Sequence, residues 1–235
     1  MNKLITFEGI EGSGKTTQIK LVAEYLLEKN VPLLVTQEPS GTDIGRKIGG
    51  ILFNSEHYYM CAETEMFLFC AARAQHVREV IMPALKQNKV VLCDRFSDAT
   101  YAYQGFGRGL DHDFIKLIND YSSMHLKPDL TLLFNLPVEI GLQRANARNN
   151  QLEKPSSTDR FERENMDFHR RISEGYLNIL KNEPDRFRLI DAACDIDAIQ
   201  KEVRRHIIDF IVETPIPKAK RNGIGKLNNP AKRRV

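Results

Sequence analysis

The sequence predicts a doubly wound α/β domain, a five-stranded parallel sheet flanked by helices, on three observations. Five short apolar runs bounded by turn residues recur along the chain: LITFE, PLLVT, KVVLCD, DLTLLFNL and RFRLID. Each is near-continuous rather than alternating, as expected of a parallel strand buried on both faces. Segments with helical spacing separate them, such as 16–29 with Ile19, Leu21, Val22, Leu26 and Leu27, and 62–86 with several apolar faces. Strand and helix therefore alternate, and in such a sheet ligands gather beyond the carboxyl ends of the strands.

At 235 residues, with 42% hydrophobic and 28% charged residues, the chain suits one sizeable core. No apolar run approaches the roughly 20 residues of a membrane-spanning helix. The first residues, one lysine and a short apolar segment ending at Glu8, do not fit a secretory signal, so a cytoplasmic protein is expected. The four cysteines, Cys61, Cys70, Cys93 and Cys194, form no C-x-x-C pair, which favours reduced thiols over metal binding. The net charge of +3 is unevenly spread, because residues 214–235 carry seven Lys or Arg and no acid. Without that tail 27 basic residues face 31 acidic ones, so the body is mildly acidic and nucleic acid is not an expected partner. We expect a domain over 1–213 and a basic tail with little fixed structure over 214–235.

The first strand runs into GIEGSGKTT, residues 9–17, which fits G-x-x-x-x-G-K-[ST]. A glycine-rich turn between strand and helix aims backbone N–H groups and the positive end of the helix dipole at one concavity, a cradle for phosphate. Gly9, Gly12 and Gly14 allow close approach, and Ile10, Glu11, Ser13 and Thr17 complete the loop. Lys15 can reach the β- and γ-phosphates of ATP, and the Thr16 hydroxyl can ligate magnesium. The second strand closes on an Glu38-Pro39 turn, where Glu38 could orient a phosphate-binding arginine or magnesium-bound water, or be only a turn carboxylate. The third strand ends in Asp94 and Arg95. Asp94 can hold magnesium directly or through water, and Arg95 can clamp a second phosphate-bearing ligand. After the fourth strand, residues 144–163 are polar, arginine-rich and broken by Pro155, which reads as a lid.

Further motifs narrow the choice: QEPSGTDIG, FCAARAQHV, DRFSDATYAYQGFGRGL, PDLTLLFNLP with GLQRANAR, DRFE and LIDA. With the phosphate loop, over residues 4–211, they resemble the thymidylate kinases, P-loop enzymes of the nucleoside monophosphate kinase type that move the γ-phosphate of ATP to dTMP. The resemblance implies that Phe69 stacks on thymine and Arg73 bonds a base carbonyl. Their i, i+4 spacing independently puts both on one helix face. It implies that Arg95 holds the dTMP phosphate, that Gln104 lines the base and sugar pocket with Tyr103 packed beside it, and that Glu11 accepts from the sugar 3′-hydroxyl. It further implies magnesium with ATP, a homodimer to which 60–69 could contribute a face, and dTDP as product for dTTP synthesis.

The phosphate loop has no arginine, so the charge of the moving phosphoryl group must be met elsewhere. The lid offers Arg144, Arg148 and Arg160, as in the bacterial pattern; Arg148 and Arg160 are the first choices, and Arg144 could instead anchor its helix. The family's TREPGGT reads here TQEPSGT, with Gln37 in place of an arginine, and a later arginine position falls on Gly49, for which Arg46 is a candidate replacement. Asn135 stands where an aspartate is common, the lid carries an insert LEKPSS, and the tail has no counterpart in the family core. Two other readings are a P-loop kinase of another pyrimidine nucleotide or nucleoside, and a nucleic-acid-associated P-loop ATPase using the basic tail.

Overall fold

The computed structural model describes residues 3–150 and 160–213. Strands β1 (Lys3–Glu8), β2 (Leu33–Gln37), β3 (Val90–Asp94), β4 (Leu130–Asn135) and β5 (Phe187–Asp191) form one parallel sheet in the order β2-β3-β1-β4-β5. The five apolar runs are these five strands. Their continuity follows from two-sided burial: Leu4, Val91 and Cys93 pack with Val77, Ile81 and Leu85, whereas Ile5, Phe7 and Leu92 join Ile19, Val22, Leu26, Val203 and Ile207.

The helices are α1 (Lys15–Glu28), α2 (Asp43–Phe53), α3 (Ala62–His76), α4 (Met82–Lys86), α5 (Ser97–Thr100), α6 (His112–Ser122), α7 (Val138–Asn150), α8 (Met166–Asn182) and α9 (Ile196–Glu213). Side-chain oxygens cap four of them, each satisfying a backbone N–H that the first turn leaves free; at α9 Asp195 accepts from Ala198 at 2.8 Å. Thr42 accepts from Gly45 at 2.9 Å, Asp111 from Phe114 at 2.7 Å, and Asn165 from Phe168 at 2.9 Å.

Two helical runs widen into π-helical turns, Val77–Ile81 between α3 and α4 and Tyr101–Gly107 after α5. The first lies within the single helix expected over 62–86. The second contains AYQG, and no periodicity in the sequence announces it. Such turns often occur at functional sites. Here the turn buries Tyr103 and Gln104 together.

Of the expected lid, residues 144–150 continue α7 and Arg160–Arg163 form a 3-10 turn before α8. The strand-helix rhythm thus continues further into the polar segment than its composition suggests. Its centre with Pro155, and the basic tail, lie outside the described residues.

The sheet order reverses direction at β1, and its register brings distant residues to one edge. Phe7 pairs with Asp94, Gln37 pairs with Asp94, and Glu38 N–H donates to the Asp94 carbonyl at 3.0 Å. The phosphate loop, the Glu38 turn and the Asp94-Arg95 corner therefore share the crevice where ligands of such sheets bind.

Candidate active site

The loop after β1 takes the form that its glycines permit. Gly12 and Gly14 lie in the left-handed region, at φ 68° and 88°, and a Cβ on Gly12 would run into the Gly141 carbonyl of α7. Lys15 opens α1 and closes the loop from inside: its Nζ donates to the Gly9 carbonyl at 2.9 Å, the Ile10 carbonyl at 2.8 Å and Ser13 Oγ at 3.1 Å. Burial pushes its ammonium down to about 8 with Arg95 adding to the effect, while Asp94, Glu11 and Glu8 oppose it. Next to it, Thr16 Oγ1 donates to Asp94 Oδ2 at 2.7 Å.

Arg95 adopts a left-handed backbone, φ 65°, a costly conformation for a residue with a Cβ. Its N–H is tied to the Phe7 carbonyl at 3.1 Å. The side chain lies over the Tyr103 ring at 4.8 Å, donates to Glu11 Oε1 at 3.1 Å, and reaches the Tyr176 hydroxyl at 3.2 Å. Tyr103 donates to the same Glu11 oxygen at 2.5 Å. Burial favours the neutral acid at Glu11, but His169, Arg95 and Tyr103 outweigh it and hold the carboxyl well below its ordinary range.

Arg73 forms a second buried centre. Its Nε donates to Glu38 Oε2 at 2.9 Å, Nη1 to Asn119 Oδ1 at 2.6 Å, and Nη2 to the Phe96 carbonyl at 3.1 Å and Thr100 Oγ1 at 3.0 Å. Burial opposes its charge, yet Glu38 keeps the guanidinium firmly protonated. Behind Glu38, the buried His76 bridges it at 3.3 Å and Thr36 at 2.6 Å. Gln104 donates to Glu65 Oε1 at 2.8 Å. Four aromatic rings form a wall beside this centre: Phe69 lies 6.4 Å from Phe53 and 6.0 Å from Phe161, and Phe161 lies 5.7 Å from Tyr103.

These parts line one cavity of about 280 Å³. It runs from the phosphate loop, Glu11 to Thr17, past Glu38, Asp94 and Arg95 to Phe69, Arg73, Tyr103 and Gln104, with Arg148 at its rim. Most of the site residues expected from the sequence are thus brought together; Gly9 and Ile10 lie behind the loop, where Ile10 is core.

Two expected residues are placed elsewhere. Arg46 is 61% exposed and pairs with Asp43 on its own helix, because the face one turn further on, at Gly49, is the one packed on Pro39 and Ser40. Arg160 is 5% exposed and donates to Glu65 Oε2 at 2.6 Å and to the Leu52 carbonyl at 3.1 Å, so a buried acid holds it outside the cavity lining. Arg144 donates to the Ala192 carbonyl at 2.8 Å, an anchor between α7 and the end of β5.

The sequence reading missed Phe53, Phe161, Thr100, Asn119, Tyr176 and His169. Phe161 stands inside the motif DRFE, between the charged Arg160 and Glu162. Tertiary packing brings Phe53 and Thr100 to the cleft and sets Asn119, Tyr176 and His169 behind Arg73, Arg95 and Glu11, and none of these five carries a local signal.

Comparison with known proteins agrees with this geometry. The thymidylate kinase family model matches residues 7–203. The chain is 52% identical over 215 residues to a thymidylate kinase of Syntrophus aciditrophicus (strain SB), covering 92% of this chain and 98% of that one. It is 48% identical over 208 residues to one of Geotalea daltonii (strain DSM 22248 / JCM 15807 / FRC-32), covering 88% and 97%. The crystal structure of thymidylate kinase from Ehrlichia chaffeensis superposes with a TM-score of 0.69 at 32% identity, covering 87% of this chain and 98% of that chain. The chain belongs to the thymidylate kinase family.

Proposed function

We propose a division of labour within the cleft of this chain, an ATP-dependent dTMP kinase that forms dTDP. The observation that carries it is the single cavity joining a phosphate loop to an aromatic and arginine-lined half. Phosphoryl transfer needs two nucleotides held in line with little covalent help, and one continuous cavity supplies that.

ATP occupies the loop half. Backbone N–H groups of 9–17 and the start of α1 cradle its phosphates, and Lys15 exchanges its loop carbonyls for phosphate oxygens. Thr16 and Asp94, two oxygen donors 2.7 Å apart, suit magnesium. No group of three His, Cys, Asp or Glu among the described residues could hold a metal ion by itself, and Mg²⁺ typically keeps waters and phosphate oxygens as its remaining ligands. When bound, the ion neutralises phosphate charge.

The acceptor dTMP occupies the other half. Phe69 offers a face to the base and Arg73 a fixed donor, while Gln104 and Tyr103 close the wall. Arg95 meets the acceptor phosphate, Glu38 fixes Arg73, and Glu11 accepts from the 3′-hydroxyl. Arg148, at the rim, 64% exposed and paired with Glu162 at 3.2 Å, is the arginine we assign to the transferring phosphoryl group. Arg160 braces the chain beside it through Glu65.

We propose a homodimer formed through α2, α3 and α6. Ile44, Ile51, Phe67, Phe114 and Leu117 expose apolar surface there, and neighbouring helices of this set pack on each other. Free thiols at all four cysteines accord with a cytoplasmic enzyme. No helix among the described residues is long and apolar enough to cross a membrane.

A coupled ADP-release assay over a panel of nucleoside monophosphates tests the assignment. Turnover is expected with dTMP and magnesium-ATP. Turnover confined to another acceptor, or ATP hydrolysis that depends only on nucleic acid, would overturn it.

A further inference from the structure

Behind the phosphate loop, α8 carries a histidine that the roles above do not use. His169 is fully buried, its ring edge-on to Phe168 at 5.5 Å, and neither ring nitrogen has a hydrogen-bond partner among the described residues. Its Nδ1 lies 3.6 Å from Glu11 Oε2, an oxygen that is itself buried and unpartnered. Three unpaired polar atoms therefore meet at one interior spot. Buried polar atoms are nearly always paired, and here about half an ångström of movement would make the bond.

The two oxygens of Glu11 are differently engaged. Oε1 takes both donors from the cleft side, Tyr103 and Arg95, whereas Oε2 faces, among the described residues, His169. Lys15 adds attraction but spends its hydrogen bonds on the loop. An acceptor phosphate at Arg95 would draw that guanidinium from Oε1. The carboxylate would then need another hold to keep its orientation.

We infer that His169 is a positioning residue: its Nδ1–H donates to Glu11 Oε2 and fixes the carboxylate whose other oxygen reads the acceptor 3′-hydroxyl. The inference rests on the proposed contact of Glu11 with the acceptor sugar. It makes α8, through a residue that touches neither nucleotide, a determinant of preference for 3′-hydroxylated acceptors.

The test compares kcat/KM for dTMP and for 3′-deoxythymidine monophosphate, which lacks the hydroxyl, in the full-length wild type, Glu11→Gln, His169→Leu and His169→Asn. His169→Leu is expected to lower kcat/KM for dTMP about tenfold, the size of one hydrogen bond to a charged group, and to leave the 3′-deoxy acceptor and the KM for ATP nearly unchanged. His169→Asn, whose amide nitrogen can take the place of Nδ1, is expected to restore the preference. If His169→Leu does not fold, His169→Phe carries the same expectation. An equal loss on both acceptors, or a preference unchanged in the histidine variants but abolished in Glu11→Gln, would overturn the role of His169 alone. A preference untouched in Glu11→Gln would instead remove the Glu11 reading beneath it.

Discussion

Glu8 and Glu11 stand three residues apart and are driven in opposite directions. Glu11 keeps its charge because three donors or cations converge on it. Glu8 lies at the end of β1, accepting from Phe96 N–H at 2.7 Å and Tyr176 Oη–H at 2.8 Å. Burial and then Asp98 raise its carboxyl to about 8, against the pull of Arg95, Tyr176 and the Phe96 amide. The folded state therefore holds a proton that the unfolded state releases near 4.5, so this contribution is full below that pH and is lost as pH rises through about 8. The denaturation midpoint is expected to fall between pH 5 and 8, with on the order of 5 kcal/mol as the upper limit for the group. Glu8→Gln should flatten that segment of a pH–stability curve measured by urea unfolding. Nothing in the sequence distinguished the two acids by charge state, because partners from the corner after β3, α5, the Tyr101–Gly107 turn and α8 decide it.

Among the elements, the flanks of 151–159 divide what composition had treated as one lid. Arg148 lies on the last turns of α7, 64% exposed, reaching Glu162 at 3.2 Å. Arg160 begins the following 3-10 turn and is locked onto Glu65, which also takes Arg108 and Gln104. One arginine is exposed at the rim of the cavity and the other is a buried brace. Arg148→Ala is expected to reduce kcat about a hundredfold or more, with little change in KM for dTMP and an unaltered melting temperature. Arg160→Ala is expected to cost about 3 kcal/mol of stability, since it leaves part of a buried acid uncompensated. Steady-state kinetics and thermal denaturation on both variants separate the two effects. Equal loss of kcat with equal stability would refute the division. Sequence distance could not separate them, since both are arginines of one polar segment.

In the whole molecule, the sheet edge and the outward faces of α2, α3 and α6 serve different purposes. The edge gathers the site, while α2, α3 and α6 leave apolar side chains outward, with Phe67 and Phe114 rings 6.2 Å apart. Sedimentation is expected to give twice the 26.9 kDa chain mass, and Phe67→Asp with Leu117→Asp to give a folded monomer. A wild-type monomer would refute this face. The five strands, the phosphate loop, the Asp94-Arg95 corner and the Phe69–Arg73 pair are legible in the sequence alone. Continuous apolar runs, glycine spacing and i, i+4 geometry are local properties, readable within a few residues. Tertiary packing is what pairs Arg46 with Asp43 and Arg160 with Glu65 outside the cavity lining, joins Phe53 and Phe161 to Phe69, and sets His169 behind Glu11. Those outcomes depend on strand register and on which buried acid each cation meets, and neither is written in the neighbourhood of the residue concerned.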